Sequence, residues 1–347
     1  MQFNANKHKR SRRFIPEQDP KVLSHTVTKI PRYFLGFLSV ILSFPLLLQA
    51  MPNTQPLLFQ PKELHQKLLN QSNRLMIIDT RTLEEYQAGH IPTAINLPIN
   101  QLYQTVDHII KRIIDPLTFQ KLVEKLGVQK KDHLVFYSGY DPLNSSRSLW
   151  TFEFYGHPVN SILDGGFPAW EWQALPIENK VNQRPPSYYT IEINPKRLAS
   201  KFKTLVATQS DHTLIIDARP QGEFKGLSTR GKRFGHIPNA VNLDFSTLFT
   251  SSQYPEPNAH ISTFINMNQF QTLLTKLPNK PNIILYCNAG SEASALYFLF
   301  RQMNKNVAIY DGSWVEWSAD PSLPITPNKP SQNQIFSSEK KRIGNTK

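Results

Sequence analysis

The chain has a single cysteine, Cys287, among its 347 residues. One thiol excludes an internal disulfide framework and a cysteine-rich zinc site. It leaves open an oxidising compartment, where such a thiol is exposed to intermolecular pairing or over-oxidation. Long apolar runs are also scarce. Residues 33–48 form an uncharged apolar stretch, but at sixteen residues it is short for a relaxed membrane span. Positive charge is lacking where a nucleic-acid surface would need it. The formal charge is +13, yet residues 1–32 hold eight Lys/Arg against two acids, and the tail from Lys329 holds five against one. The globular middle is left with only +3. With the excess in the tails, and no platform interleaving aromatic and basic side chains, nucleic acid is not expected as a partner.

Behind its basic lead, the apolar run 33–48 suits a signal-peptide core with cleavage after Ala50. The same lead suits an uncleaved anchor whose N-terminus stays inside. Both alternatives place the rest of the chain outside the cytoplasm, either periplasmic or anchored in the inner membrane facing the periplasm. Ser11-Arg12-Arg13 is a poor twin-arginine signal, because it lies about twenty residues ahead of the run.

The length suggests two domains of ordinary size, and the chain repeats itself accordingly. Residues 75–79, L-M-I-I-D, lead into Thr80-Arg81 and then Gly89-His90-Ile91-Pro92-Thr93-Ala94-Ile95-Asn96-Leu97. The same order returns as L-I-I-D at 214–217, Ala218-Arg219, and Gly235-His236-Ile237-Pro238-Asn239-Ala240-Val241-Asn242-Leu243. Each copy then has a β-rich strand, a loop and a helix, at 133–137 and 283–286, and each closes on Asp-Gly followed by tryptophan, at 164–170 and 311–317. Strands alternating with helical stretches predict α/β units with a parallel sheet, whose sites lie at the carboxyl ends of the strands. The expected layout is a leader over 1–50, a linker over 51–60, one copy over 61–178, a linker over 179–188, a second copy over 189–327 and a basic disordered tail over 328–347. Asp79–Arg81 and Asp217–Arg219, like His90 and His236, repeat in both copies and are expected to be structural. Trp314 and Trp317 are expected to pack.

Cys287 stands where the strand 283–286 ends. A six-residue loop, Cys287-Asn288-Ala289-Gly290-Ser291-Glu292, precedes a helix expected to start near Ala293. Inward-facing amides of such a loop, together with the helix dipole, favour negative charge. The thiol is therefore expected to ionise more easily than a free cysteine, whose pKa is about 8.5. The first copy has Ser138 at the matching position, which cannot form a persulfide.

The loop Cys287-x-x-Gly290-x-x, the Tyr310–Trp317 segment Y-D-G-S-W-V-E-W and the two-copy plan resemble the tandem-domain rhodaneses, the thiosulfate and 3-mercaptopyruvate sulfurtransferases. Phosphatases of related fold carry Arg six residues after the cysteine, where this chain has Ala293. The resemblance implies an α/β fold of two tandem rhodanese-like domains, each a parallel sheet flanked by helices, with the first copy inactive and the second catalytic. It implies sulfur transfer through a Cys287 persulfide, from a small sulfur donor to a thiol, cyanide or protein acceptor, without metal or cofactor. A sulfur carrier of the same fold with little turnover is the alternative. Backbone groups of Asn288, Ala289, Gly290, Ser291 and Glu292 would hold the charged sulfur. Arg230, in the loop 225–235 that only the second copy has, matches an arginine that helps hold a substrate carboxylate, with Arg233 beside it. His108 and Asn100 are the nearest matches to a His and an Asp that the family draws from its first domain. The chain departs from the family at Glu223, where a second substrate-gripping arginine is usual, and at Asn288 and Ala289, where cations or a serine are usual. Glu292 adds a negative charge that raises the thiol pKa.

Overall fold

The computed structural model describes residues 57–70, 74–253 and 260–326. The leader or anchor expected at 1–50 and the tail expected at 328–347 lie outside the described residues. Among the described residues no helix is long and apolar enough to cross a membrane.

The first copy runs β1 (Leu57–Phe59), α1 (Pro61–Leu69), β2 (Leu75–Asp79), α2 (Leu83–Ala88), β3 (Ile95–Asn96), β4 (Tyr103–Val106), β5 (Ile109–Ile113), α3 (Pro116–Lys125), β6 (His133–Tyr137), α4 (Leu143–Phe154), β7 (Asn160–Leu163) and α5 (Gly166–Trp172). The second runs β8 (Leu198–Ala199), α6 (Lys201–Ala207), β9 (Thr213–Asp217), α7 (Gln221–Phe224), β10 (Ala240–Asn242), β11 (Phe249–Gln253), β12 (His260–Phe264), α8 (Met267–Leu274), β13 (Asn282–Tyr286), α9 (Ser291–Gln302), β14 (Asn306–Tyr310) and α10 (Ser313–Ala319). Five parallel strands pair in the order β1-β7-β6-β2-β3 in one sheet and β8-β14-β13-β9-β10 in the other, so the copies match strand for strand. The central strands are short runs of branched apolar residues buried on both faces, as a parallel sheet covered by helices requires. Helix starts follow local chemistry. Thr82 and Asn266 each close a capping box with the residue three positions on, and Asp115 caps α3 ahead of Pro116.

Two boundaries correct the sequence expectations. The expected linker 51–60 contains β1, which pairs in parallel with β7 through Leu58 and Ile162. Three residues are too few to show a periodicity, and the prolines nearby mask the strand. The helix α9 starts at Ser291 and not near Ala293, because Gly290 takes the left-handed conformation (φ 81°) and serves as its N-cap. The loop is thus four residues long. The segment 179–188 has no regular structure, yet it is strapped to the first copy. Asn182 donates its N–H to Tyr86 Oη (3.0 Å), Ser187 N–H reaches Glu124 O (2.9 Å), and Arg184 pairs with Asp132 (2.9 Å).

Helices α4 and α9 are buried over nearly their whole circumference, from Ser145 to Phe154 and from Ala293 to Arg301. A helix buried all round lies inside a core. Here one apolar cluster runs without a break from Phe136, Trp150 and Phe152 of the first copy to Leu285, Phe298 and Phe300 of the second. At its centre Glu153 of α4 accepts hydrogen bonds from Tyr297 Oη (2.5 Å) and Arg301 Nε (2.9 Å) of α9. Each copy also lends a hairpin to the other. The β4–β5 pair of the first copy gives the Ile113 N–H to Asp311 of the second (2.8 Å), and the β11–β12 pair of the second gives the Phe264 N–H to Asp164 of the first (2.9 Å).

A shared core predicts shared unfolding. Phe298→Ala is expected to cost about 3–5 kcal/mol and to leave a single cooperative transition in urea, followed by tryptophan fluorescence and far-ultraviolet circular dichroism. Two well-separated transitions would contradict a continuous core.

Candidate active site

The repeated Asp-x-Arg turns have the same structure in both copies. Asp217 accepts from the Arg219 N–H (2.9 Å), from its guanidinium (2.5 Å) and from Tyr286 Oη (2.6 Å), and Arg219 Nη2 reaches sixteen residues on to Gly235 O (2.9 Å). In the first copy Arg81 binds Asp79 and then Gly89 O (2.7 Å), eight residues on. All four side chains are buried. They pin the Gly-His-Ile-Pro loops to the ends of β2 and β9. The histidines belong to the same device. His90 Nδ1 lies 2.7 Å from Tyr86 O and its ring stacks on Tyr86, while His236 Nδ1 lies 2.9 Å from Phe224 O and its ring stacks on Phe224.

The span from arginine to glycine is longer in the second copy by the loop 225–235, and its two arginines do different work. Arg233 lies under α10 and donates to the carbonyls of Trp317, Ser318, Asp320 and Leu323, so it holds the loop down. Arg230 is 67% exposed and stands between two carboxylates, 3.4 Å from Glu223 Oε1 and 3.8 Å from Glu292 Oε1. The structure therefore brings Arg230 to the cysteine loop and withdraws Arg233 from it.

Cys287 follows β13 directly, and Gly290 closes the loop. The loop backbone rests on the start of α10. Trp314 N–H donates to Cys287 O (2.9 Å), Val315 N–H to Asn288 O (3.1 Å), and Cys287 N–H to Ser313 Oγ (3.2 Å). The Gly290 N–H points at Cys287 Sγ (2.9 Å), and the amides of Ala289 and Ala293 also favour negative charge on the sulfur. Inward-facing amides were expected, and they are there. The expected ease of ionisation is not. Cys287 is fully buried, and that burial pushes its thiol well above the ordinary range. The charge and hydrogen bond of Glu292 push in the same direction, and the amides do not offset the two. Sequence shows which amides surround the sulfur but not how much water is removed from it.

Ser291 opens α9, and its Oγ lies 3.3 Å from Tyr103 Oη of the first-copy hairpin. Asn288 is 4% exposed, and neither its amide nitrogen nor its amide oxygen has a hydrogen-bond partner. His108 sits at the exposed tip of the β4–β5 hairpin with φ 64°. The hairpin residue that touches the loop is Tyr103, so the match of His108 to a site histidine is not supported by this geometry. A histidine at a hairpin tip and one in a cleft look alike in sequence. Asn100 lines a cavity of about 670 Å³ around Ser138's neighbours Gly139, Tyr140 and Asp141, the first copy's counterpart of the cysteine loop. Sequence reasoning missed Arg147 and Asp311. Arg147, completely buried in α4, donates to Gly290 O (3.2 Å) and to Asp311 Oδ1 (2.5 Å). The available signal was a lone cation in the helix S-S-R-S-L-W-T-F.

The sequence profile of the rhodanese-like domain matches residues 60–172 and 198–320. The chain is 28% identical over 255 residues to a 3-mercaptopyruvate sulfurtransferase of Escherichia coli, covering 72% of this chain and 88% of the relative. It is 28% identical over 266 residues to a thiosulfate sulfurtransferase of Corynebacterium glutamicum, covering 72% and 84%. Among solved structures, YnjE superposes with TM-score 0.67 at 21% identity over 80% of this chain and 69% of that one. An anaerobic ergothioneine biosynthesis enzyme from Chlorobium limicola, bound to trimethyl histidine, gives 0.67 at 20% identity over 79% and 70%. At such identities the two structures speak for the fold alone. With both copies matched by the profile over most of the described residues, the chain belongs to the rhodanese-like domain family as a tandem-domain member.

Proposed function

We propose that this sulfurtransferase carries sulfur as a persulfide on Cys287. The donor is of thiosulfate or 3-mercaptopyruvate type, and the acceptor is a thiol, cyanide or a protein. The carrying observation is the Gly290 amide 2.9 Å from the sulfur of the only cysteine, at the N-terminus of a twelve-residue helix. In the first half-reaction Cys287 gives up its proton to solvent, and the thiolate sulfur attacks the outer sulfur of the donor. A sulfur–sulfur bond forms, the donor's bond to that sulfur breaks, and its electron pair leaves with the remainder of the donor. In the second, the thiophile attacks the outer persulfide sulfur, and Cys287 departs with the bonding pair. Negative charge gathers on sulfur in both steps, where amides already in place stabilise it without reorganising. Arg230 is the exposed cation at the loop and is suited to an anionic donor.

A second reading is favoured by a specific observation. Two carboxylates, Glu223 and Glu292, already share Arg230, and the resting thiol is buried and hard to ionise. That arrangement suits a carrier that loads slowly and releases sulfur only to a particular protein. We further read residues 33–48 as an export signal or anchor that places the transfer outside the cytoplasm.

Intact mass after exposure to thiosulfate or 3-mercaptopyruvate is expected to show the gain of one sulfur atom, lost in Cys287→Ser and reversed by cyanide with thiocyanate release. No gain with either donor would sink the persulfide. A gain without thiocyanate turnover would select the carrier. Alkylation of Cys287 by iodoacetamide is expected to rise with pH around a midpoint above that of an ordinary thiol, since only the thiolate reacts. Glu292→Gln removes a like charge and is expected to move that midpoint to lower pH, and an unmoved midpoint would place the carboxylate away from the sulfur. N-terminal sequencing of protein expressed with its leader in a Gram-negative host is expected to start at Met51 if the signal is cut. A start at Met1 in the membrane fraction would select the anchor, and a start at Met1 in the cytosol would refute export.

A further inference from the structure

Two halves of one peptide loop are held from opposite directions. The Gly290 N–H is hydrogen-bonded to Cys287 Sγ (2.9 Å), and the Gly290 carbonyl accepts from Arg147 Nη1 (3.2 Å), a residue of the cysteine-less copy. Arg147 is itself held through both terminal nitrogens and one face of its guanidinium. Its Nη2 meets Asp311 Oδ1 at 2.5 Å and Lys111 O at 3.2 Å, and its guanidinium carbon lies 4.3 Å from the ring centre of Trp150. The fit is close enough that a Cβ at position 290 would stand 2.3 Å from Nη1, in a residue whose φ of 81° already disfavours a side chain.

The pseudo-symmetry of the molecule supplies the comparison that separates a structural role from a functional one. Arg147 is the fifth residue of α4, and the fifth residue of the equally long α9 is Ala295. Asp311 and its counterpart Asp164 both accept a backbone N–H from the partner hairpin, at 2.8 and 2.9 Å. On the Asp164 side Gln60 completes the contact (3.0 Å), and among the described residues no arginine pairs with that carboxylate. The hairpin exchange can therefore be built without a buried cation. The cation occurs on the side that carries the cysteine.

We infer that Arg147 is a positioning residue for sulfur transfer: the copy that lacks a cysteine supplies the cation that anchors the Gly290 carbonyl, holds the φ and ψ of Gly290 that aim its N–H at the sulfur, and so favours a thiolate or persulfide anion at Cys287. The inference rests on Cys287 being the sulfur carrier, as proposed above, but its test needs no sulfur donor. Alkylation of Cys287 by iodoacetamide is followed against pH in the full chain, in Arg147→Met, in Arg147→Lys and in Arg301→Lys, an interface control whose buried partner Glu153 lies away from the loop.

At fixed neutral pH the alkylation rate of Arg147→Met is expected to fall by roughly tenfold or more, with its pH midpoint displaced upward. Arg147→Lys is expected to fall between wild type and Met, because it keeps the charge and loses the fork. Arg301→Lys is expected to lower the thermal midpoint without moving the alkylation curve. A folded Arg147→Met with the wild-type curve overturns the inference, and so does an equal displacement in Arg301→Lys. Should Arg147→Met not fold, Arg147→Lys decides, and an undisplaced curve there overturns the inference as well. A displaced curve in protein that takes no sulfur from any donor would instead refute the persulfide and leave the role of Arg147 in place.

Discussion

The carboxylate of Asp311, 1% exposed, joins the two halves of this protein at the point where chemistry is expected. It accepts from Arg147, Arg112 and the Ile113 N–H, all of the first copy, while the residues just after it hold the cysteine loop through Ser313, Trp314 and Val315. Interface and site are thus one construction. A buried ion pair gives little net stability against a well-packed apolar alternative, but removing one partner leaves an uncompensated charge that costs about 3–5 kcal/mol. Such a contact tolerates little variation in geometry, and the cysteine loop inherits its rigidity. The apolar core shared by α4 and α9 supplies the adhesion, and the buried carboxylates Asp311, Glu153 and Asp164 define how the copies are aligned.

At the sulfur, two effects oppose each other. Amides and a helix N-terminus lower the energy of an anion, by about 0.3–1 kcal/mol for the dipole at an exposed site and more where water is excluded. Burial raises the same energy, because a fully enclosed anion loses its hydration. With Glu292 nearby, burial wins in the resting enzyme. The same enclosure strengthens each amide once charge arrives, since a low dielectric magnifies fixed dipoles as well as the cost of an isolated charge. On the proposed route, such a site is quiet when empty and favours a sulfur anion once a donor has brought charge into it.

Much of this was legible in the sequence, for a physical reason. The repeat of Asp-x-Arg with Gly-His-Ile-Pro encodes a local device, in which an arginine bridges eight or sixteen residues to a glycine carbonyl, and such short-range bonds leave a pattern in the chain. The strand before Cys287 and the match of the two sheets were readable in the same way. What escaped notice is long-range. Arg147 and Asp311 are 164 residues apart, and nothing in either neighbourhood names the other. His108 and Arg233 are residue types that suit a site, but a hairpin tip and the carbonyls at and just beyond the end of α10 claim them instead. The thiol's resistance to ionisation was equally hidden, because solvent exclusion is a property of the assembled core.

The mouth and the floor of the site then divide the electrostatic work. At the mouth, Arg230 is shared by Glu223 and Glu292 at distances of 3.4 and 3.8 Å, and the group carries one net negative charge when all three are ionised. Because Arg230 is largely exposed, each contact is worth only about 0–1 kcal/mol and yields readily to a competing anion. With a net negative charge, the mouth does not hold an anion by charge alone, and on the proposed route it lends its cation to a donor at small cost. On the proposed persulfide route, stabilisation of a sulfur anion falls to the floor, where the Gly290 N–H and the guanidinium on the Gly290 carbonyl are buried and already aligned. Under the proposed route, a sulfurtransferase with carboxylates at its mouth depends on the copy without a cysteine to keep that floor in place.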